Sequence, residues 1–168
     1  MDTITVRQSA KLYIHWPEGG GFQQIEMLIN GVPLIELVRE VELPYAEEEF
    51  DQRTADGEGI DDLGSRGALA GDYHYLPPSI ALPPSQNFFG EPYNHGLLTE
   101  SDDPVNLKSV ILSCTCGVTE CWFLMANITL KEKLVVWDNF QQFHRDWAYT
   151  LGPLVFDREQ YTAAFNAA

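Results

Sequence analysis

Two pairs of adjacent prolines, Pro77-Pro78 and Pro83-Pro84, divide the chain into regions that must fold differently. Proline lacks a backbone N–H and disfavours a helical conformation in the residue before it, so no helix or central strand can run through either pair. The surrounding residues 64–104 are rich in glycine and proline but also carry many large apolar side chains. We therefore predict an irregular, ordered segment at 64–104, which lies over a sheet and is inserted between two sheet-forming regions.

The region before the prolines begins with alternating apolar and polar residues. This alternation predicts a half-buried strand over 3–16, a turn at 17–21 and a returning strand over 22–29. Asn30-Gly31 predicts a second turn. Pro33, followed by apolar residues at helical spacing, predicts a short amphipathic helix over 33–41.

Residues 47–62 have a different composition. They contain eight acidic residues and one basic residue, with little apolar content. We predict a solvated acidic loop here.

The region after the prolines is denser in β-forming residues. Strands are predicted at 109–116, 121–130 and 133–140 as an antiparallel meander, with a last strand at 153–156. Asp157, with Gln160 three residues later, resembles the start of a capped helix that turns Tyr161, Ala164 and Phe165 inward. The whole pattern predicts one α+β domain over 1–168, with a mostly antiparallel sheet and two short helices.

The charge of the chain excludes some partners. It has 25 acidic and 10 basic residues, a net charge of −15. Such a surface repels nucleic acids and anionic membranes, and it suits a basic protein partner. The first ten residues lack the apolar core of a signal peptide, and no apolar run approaches the length of a membrane span. We expect a cytoplasmic protein.

Three cysteines, Cys114, Cys116 and Cys121, are the only ones in the chain. If Gly117 to Glu120 forms a four-residue hairpin loop, Cys116 faces Cys121 and Cys114 lies on the same sheet face. The three sulfur atoms then cluster at one end of the hairpin.

Several interpretations of this cluster remain open. A zinc site needs a fourth ligand, for which His144 is the first candidate and His74 and His95 are others. A cross-strand disulfide, a thiol nucleophile activated by His144, and three buried core residues are the alternatives. The spacing C-x-C-x4-C is not among the usual zinc motifs.

A run of aromatic residues follows the meander. Its candidate binding residues combine aromatic rings with a guanidinium, as binding surfaces often do: they are Trp137, Phe140, Arg145, Trp147 and Tyr149. The alternative is that these side chains wedge an irregular segment onto the sheet, with their polar ends satisfied internally.

The stretches LSCTCGVTECW, VVWDNFQQFHRDWAY and LVFDREQY carry the pattern C-x-C-G-x-x-x-C-W followed by F-x-Q-x-H-R-x-W. Together with INGVPLIELVREVELPYA they resemble a group of small bacterial proteins with no assigned activity. Glu120 stands where that group has glycine, and Val155 is a second departure. The resemblance implies a bacterial cytosolic protein, and it places the cysteines and His144-Arg145 in one signature.

Three functions are compatible with these observations. The first is a non-catalytic acidic binding protein with a structural zinc site. The second is an immunity-like protein that neutralises a basic toxin. The third is a thiol-dependent enzyme.

Overall fold

The structure is a computed structural model that describes residues 1–12 and 21–168. Residues 13–16 of the predicted first strand and 17–20 of the predicted turn lie outside the described residues. The remaining elements form an α+β fold, as predicted, and their strands form two antiparallel sheets rather than one. No helix in the described parts of the chain combines the length and apolarity needed to cross a membrane.

The amino-terminal sheet has three strands in the order β1-β2-β3. They are β1 (Ile4–Leu12), β2 (Gly21–Ile29) and β3 (Val32–Pro33). Strands β2 and β3 are joined by Asn30 and Gly31, both of which have positive φ values. Two such residues produce the twist that a tight hairpin requires, so the predicted Asn-Gly turn is confirmed.

Helix α1 (Leu34–Ala55) is much longer than predicted. It continues through Pro44 and includes residues 47–55, so the predicted acidic loop over 47–62 is wrong for more than half of its length. Arg53 lies one turn from Glu49, and Arg66 pairs with Glu47 and Asp51. These ion pairs offset the repulsion between the acids. The helix then ends before Gly57, and a short helix α2 (Ile60–Leu63) follows.

The carboxy-terminal sheet has five strands in the order β4-β5-β6-β7-β8, all antiparallel. They are β4 (Tyr73–His74), β5 (Ser109–Cys114), β6 (Leu124–Leu130), β7 (Leu134–Gln142) and β8 (Leu154–Asp157). Helix α4 (Arg158–Ala167) closes the chain. The predicted meander and last strand are therefore present, but β5 and β6 are shorter at the end where they meet.

The central segment is irregular and ordered, as predicted. It contains strand β4, a short helix α3 (Pro78–Ala81) and single turns of 3-10 helix. Buried asparagines attach it to β5: Asn87 donates to the carbonyl of Val110, and the side chain of Asn94 bonds to both Lys108 and Val110. An asparagine side chain has both a donor and an acceptor, so it can take the place of a neighbouring strand. Here the two asparagines satisfy backbone groups at the start of β5 that no strand satisfies on that side.

The two sheets meet at the chain termini. The backbone N–H of Asp2 donates to the carbonyl of Val155 at 2.8 Å, and the Asp2 carboxylate accepts from the Val155 N–H at 2.9 Å. The side chain of Gln160 in α4 donates to the carbonyl of Ile4 at 2.8 Å. The first and last elements are thus hydrogen-bonded to each other.

Candidate metal centre

Cys114 is the last residue of β5, and Cys116 and Cys121 lie in the connection between β5 and β6. Their sulfur atoms are all within 4.8 Å of one another, so the predicted clustering is confirmed. Cys116 and Cys121 are exposed, Cys114 is half-buried, and all three are free thiols. The interpretation as three core residues is therefore wrong for Cys116 and Cys121.

The hairpin predicted to bring these residues together is different from the one observed. Strand β5 ends at Cys114, and Leu112 pairs with Leu124, so Cys116 and Cys121 lie outside the sheet rather than opposite each other. Gly117 has a φ of +87° and reverses the chain. A turn of 3-10 helix at Thr119–Cys121 then brings Cys121 back. The connection is longer than four residues because this turn is inserted before β6 begins.

Hydrogen bonds fix the thiol cluster. The backbone N–H of Cys116 donates to the sulfur of Cys114 at 3.4 Å, and the sulfur of Cys116 lies 3.8 Å from the carbonyl oxygen of Val118. Burial raises the pKa of Cys114 to about 12. A hydrogen bond from the Cys114 thiol lowers the pKa of Cys116, and the interaction with Cys116 raises the pKa of Cys121. The pKa of each thiol thus depends on the other two.

The cluster supplies three ligands for a metal ion. Zinc bound tetrahedrally at about 2.3 Å to each thiolate places the sulfur atoms about 3.8 Å apart. The observed spread of up to 4.8 Å needs only a small contraction to reach this distance. The residues present therefore fit three corners of a thiolate site.

His144 does not belong to this group of ligand atoms, and neither do His74 and His95. The Nε2 atom of His144 lies 2.7 Å from the carbonyl oxygen of Glu120. Because a carbonyl oxygen only accepts, Nε2 carries the hydrogen, and Nδ1 is the nitrogen of the neutral ring that could bind a metal. His144 is thus attached to the cysteine loop but does not complete the site in this conformation.

Two of the predicted binding residues belong to the core. Trp137 is fully buried and donates from its indole N–H to the hydroxyl of Tyr161, and Phe140 is buried beside Gly152. Both point inward because an extra residue in β7 at Asn139, which has a φ of +52°, shifts the alternation between them. The prediction that Trp137 and Phe140 form a binding surface is wrong.

The other three predicted binding residues attach their segment to helix α1. Arg145 forms a two-pronged ion pair with Glu49, at 2.6 and 3.1 Å. The ring of Trp147 stacks on Tyr45, and the hydroxyl of Tyr149 donates to Glu42. Arg145, Trp147 and Tyr149 thus act as a clamp, which agrees with the alternative interpretation of this stretch.

Sequence reasoning missed two residues that contact Tyr73, the residue paired with Cys114 in the sheet. Glu42 is fully buried and accepts hydrogen bonds from the N–H of Gly71 at 2.8 Å and from the hydroxyl of Tyr73 at 2.7 Å. Trp122, the neighbour of Cys121, stacks on Tyr73 and lies 4.9 Å below the guanidinium of Arg145. The sequence did contain a signal for the burial of Glu42, because this residue follows Val38 by four positions and therefore lies on the apolar face of the helix.

No protein-family model, curated protein or solved structure matches this chain. The resemblance to the group of small bacterial proteins stays a prediction, and the function must be inferred from the site itself.

Proposed function

We propose that this is a non-catalytic, acidic binding protein whose cysteine loop holds a zinc ion. One observation carries the proposal: three sulfur atoms lie within 4.8 Å of one another, and two of them belong to exposed side chains. Thiolates are the preferred ligands of zinc and other soft or borderline metal ions. In the reducing cytoplasm, where we place the protein, the thiols stay available for such an ion.

The electrostatics of the loop support a cation. Three ionised sulfur atoms this close repel one another, and the exposed Glu120 adds a negative charge beside them. A divalent cation removes this repulsion and favours deprotonation of all three thiols. The fourth position is open to water or to the Nδ1 atom of His144, the ring nitrogen that does not contact Glu120.

Elemental analysis of protein purified under reducing conditions tests the proposal. We expect one zinc ion per chain, and replacement of zinc by cobalt should produce the absorption bands of a thiolate-bound tetrahedral ion. Cys116→Ser should lose the ion. Val118→Ala is the matched control, because Val118 is an exposed side chain of the same loop and its backbone contact with Cys116 is retained.

His144→Ala separates the two candidates for the fourth position. If His144 is the fourth ligand, the substitution should weaken zinc binding strongly. If water is the fourth ligand, the affinity for zinc should not change. A protein that binds no zinc or cobalt, but in which Cys116 is alkylated much faster than a free thiol, would contradict the proposal and favour the thiol-dependent enzyme.

A further inference from the structure

Cys116 and Cys121 are the two cysteines of the cluster that lie beyond the end of β5. Both are exposed and lie outside the strands, one on each side of the turn at Gly117. We propose that a peroxide converts Cys116 and Cys121 into a reversible disulfide, and that this reaction releases the metal ion. The release of the metal ion rests on the proposed function, whereas formation of the disulfide does not.

The geometry favours this pair over the pairs that include Cys114. Cys114 is the last residue of β5, is paired with Tyr73 of β4, and is half-buried. Its sulfur also accepts the N–H of Cys116. A disulfide requires the two sulfur atoms to approach to about 2.05 Å, which from the observed separation is a shift of at most about 3 Å. The loop can supply that shift without breaking a strand pair.

The reaction has two balanced steps. The Cys116 thiolate attacks one oxygen of hydrogen peroxide, the O–O bond breaks, and the leaving hydroxide takes up a proton to become water; Cys116 is now a sulfenic acid. The sulfur of Cys121 then attacks the sulfur of Cys116, the S–S bond forms and the S–O bond breaks. The departing hydroxide takes the proton of the Cys121 thiol and leaves as a second water. Two thiols are oxidised and one peroxide is reduced.

The disulfide removes two of the three ligands. A metal ion would then be held by Cys114 alone among the cysteines, and disulfide sulfur is a poor ligand compared with a thiolate. Reduction by a dithiol restores both thiolates and therefore the site. Reversible disulfides of this kind are the usual form in which disulfides occur in a reducing compartment.

The experiment uses the whole chain in two forms. Metal-free protein is treated with hydrogen peroxide, digested without reduction and analysed by mass spectrometry; we expect one peptide pair linked through Cys116 and Cys121, which disappears on reduction. Zinc-loaded protein is treated in the same way while a chromogenic chelator records free zinc. We expect zinc release in proportion to the disulfide formed, and rebinding after reduction.

Two variants provide the controls. Cys114→Ser should still form the Cys116–Cys121 disulfide, whereas Cys121→Ser should form none with Cys116 and should instead accumulate sulfinic acid there. A disulfide through Cys114, or direct over-oxidation of Cys116 in the wild-type protein, would overturn the inference. If zinc does not bind but the Cys116–Cys121 disulfide forms, the proposed function fails and the redox site stands. If zinc binds and peroxide does not form that disulfide, the proposed function stands and the redox inference fails.

Discussion

At the scale of single residues, Glu42 is a fully buried acid. Its carboxylate is buried on the inner face of α1 and accepts hydrogen bonds from Gly71, Tyr73 and Tyr149. Burial raises the pKa of Glu42, and the hydrogen bonds from Tyr149 and Tyr73 oppose that rise without cancelling it. Because its donors belong to two different segments, this one carboxylate holds α1 to β4 and to the stretch that follows β7.

Replacing Glu42 by glutamine should make the free energy of unfolding less dependent on pH. A raised pKa in the folded state means that the folded protein binds the proton more tightly than the unfolded chain. The stabilising contribution is therefore complete below the ordinary value of 4.5 and is lost as pH rises through the raised value. The free energy of unfolding of the wild-type protein should therefore fall, relative to that of Glu42→Gln, as pH rises from below 4.5 through the raised value.

Urea unfolding of both proteins over this range measures the effect. Glu48→Gln is the control, because Glu48 is an exposed acid of the same helix and should show no such change. If the difference between wild type and Glu42→Gln does not change with pH, the hydrogen bonds to the carboxylate fully offset its burial.

At the scale of elements, the start of α4 was predictable from a few residues. Asp157 is the N-cap, and its carboxylate accepts the N–H of Gln160 at 2.9 Å. Behind the cap, Tyr161 and Phe165 are buried as predicted. Local capping chemistry and helical spacing both act within one or two turns, so neighbouring residues contain the necessary information.

Asp157→Ala should lower the free energy of unfolding by about 1 kcal/mol, the usual effect of losing an N-cap hydrogen bond. Chemical denaturation measures the change. Asp102→Ala, at an exposed aspartate outside the helices, removes the same charge without removing a cap. Equal losses in the two variants would show that the charge, and not the cap, is responsible.

The length of α1 could not be predicted in this way. Pro44 and the acidic composition of 47–62 both indicate that the helix should end early. What extends it comes from distant parts of the chain: Arg66 pairs with Glu47 and Asp51, and Arg145 pairs with Glu49. A sequence pattern of about ten residues cannot reveal that one of them forms an ion pair with a residue almost one hundred positions away.

The structure therefore predicts a specific result for limited proteolysis. Among the glutamates of residues 47–58, cleavage by a glutamate-specific protease should occur first after Glu58, which lies beyond the end of α1, and only later after Glu47, Glu48 or Glu49 within the helix. A protease needs a locally unfolded backbone, which the helix does not offer. Timed digestion followed by mass spectrometry identifies the first cut. A first cut among the three helical glutamates would instead support the solvated loop predicted from composition.

At the scale of the whole molecule, the predicted α+β class was right, but the contacts between distant elements could not be predicted from the sequence. Alternation and turn residues predicted most strands, because a strand's faces are recorded in its own sequence. The cysteine cluster was predicted for the same reason, although through a hairpin register that the 3-10 turn at Thr119–Cys121 replaces. The contact between Asp2 and Val155 joins residues at opposite ends of the chain, and nothing local in either stretch encodes it.

This contact leads to a prediction for the entire chain, which should unfold as one cooperative unit. Asp2 bridges to Phe156 at the edge of β8, Gln160 binds Ile4, and the N–H of Ile25 in β2 donates to the carbonyl of Leu76 in the central segment. In native-state hydrogen exchange, the slowest amides of β2 and β6 should therefore converge on one free energy of opening. Asp2→Ala removes the side-chain bonds to Val155 and Asn30 and should lower that value by about 1–3 kcal/mol in both sheets equally. If only the amides of β2 respond, the two sheets open separately and the chain is not a single folding unit.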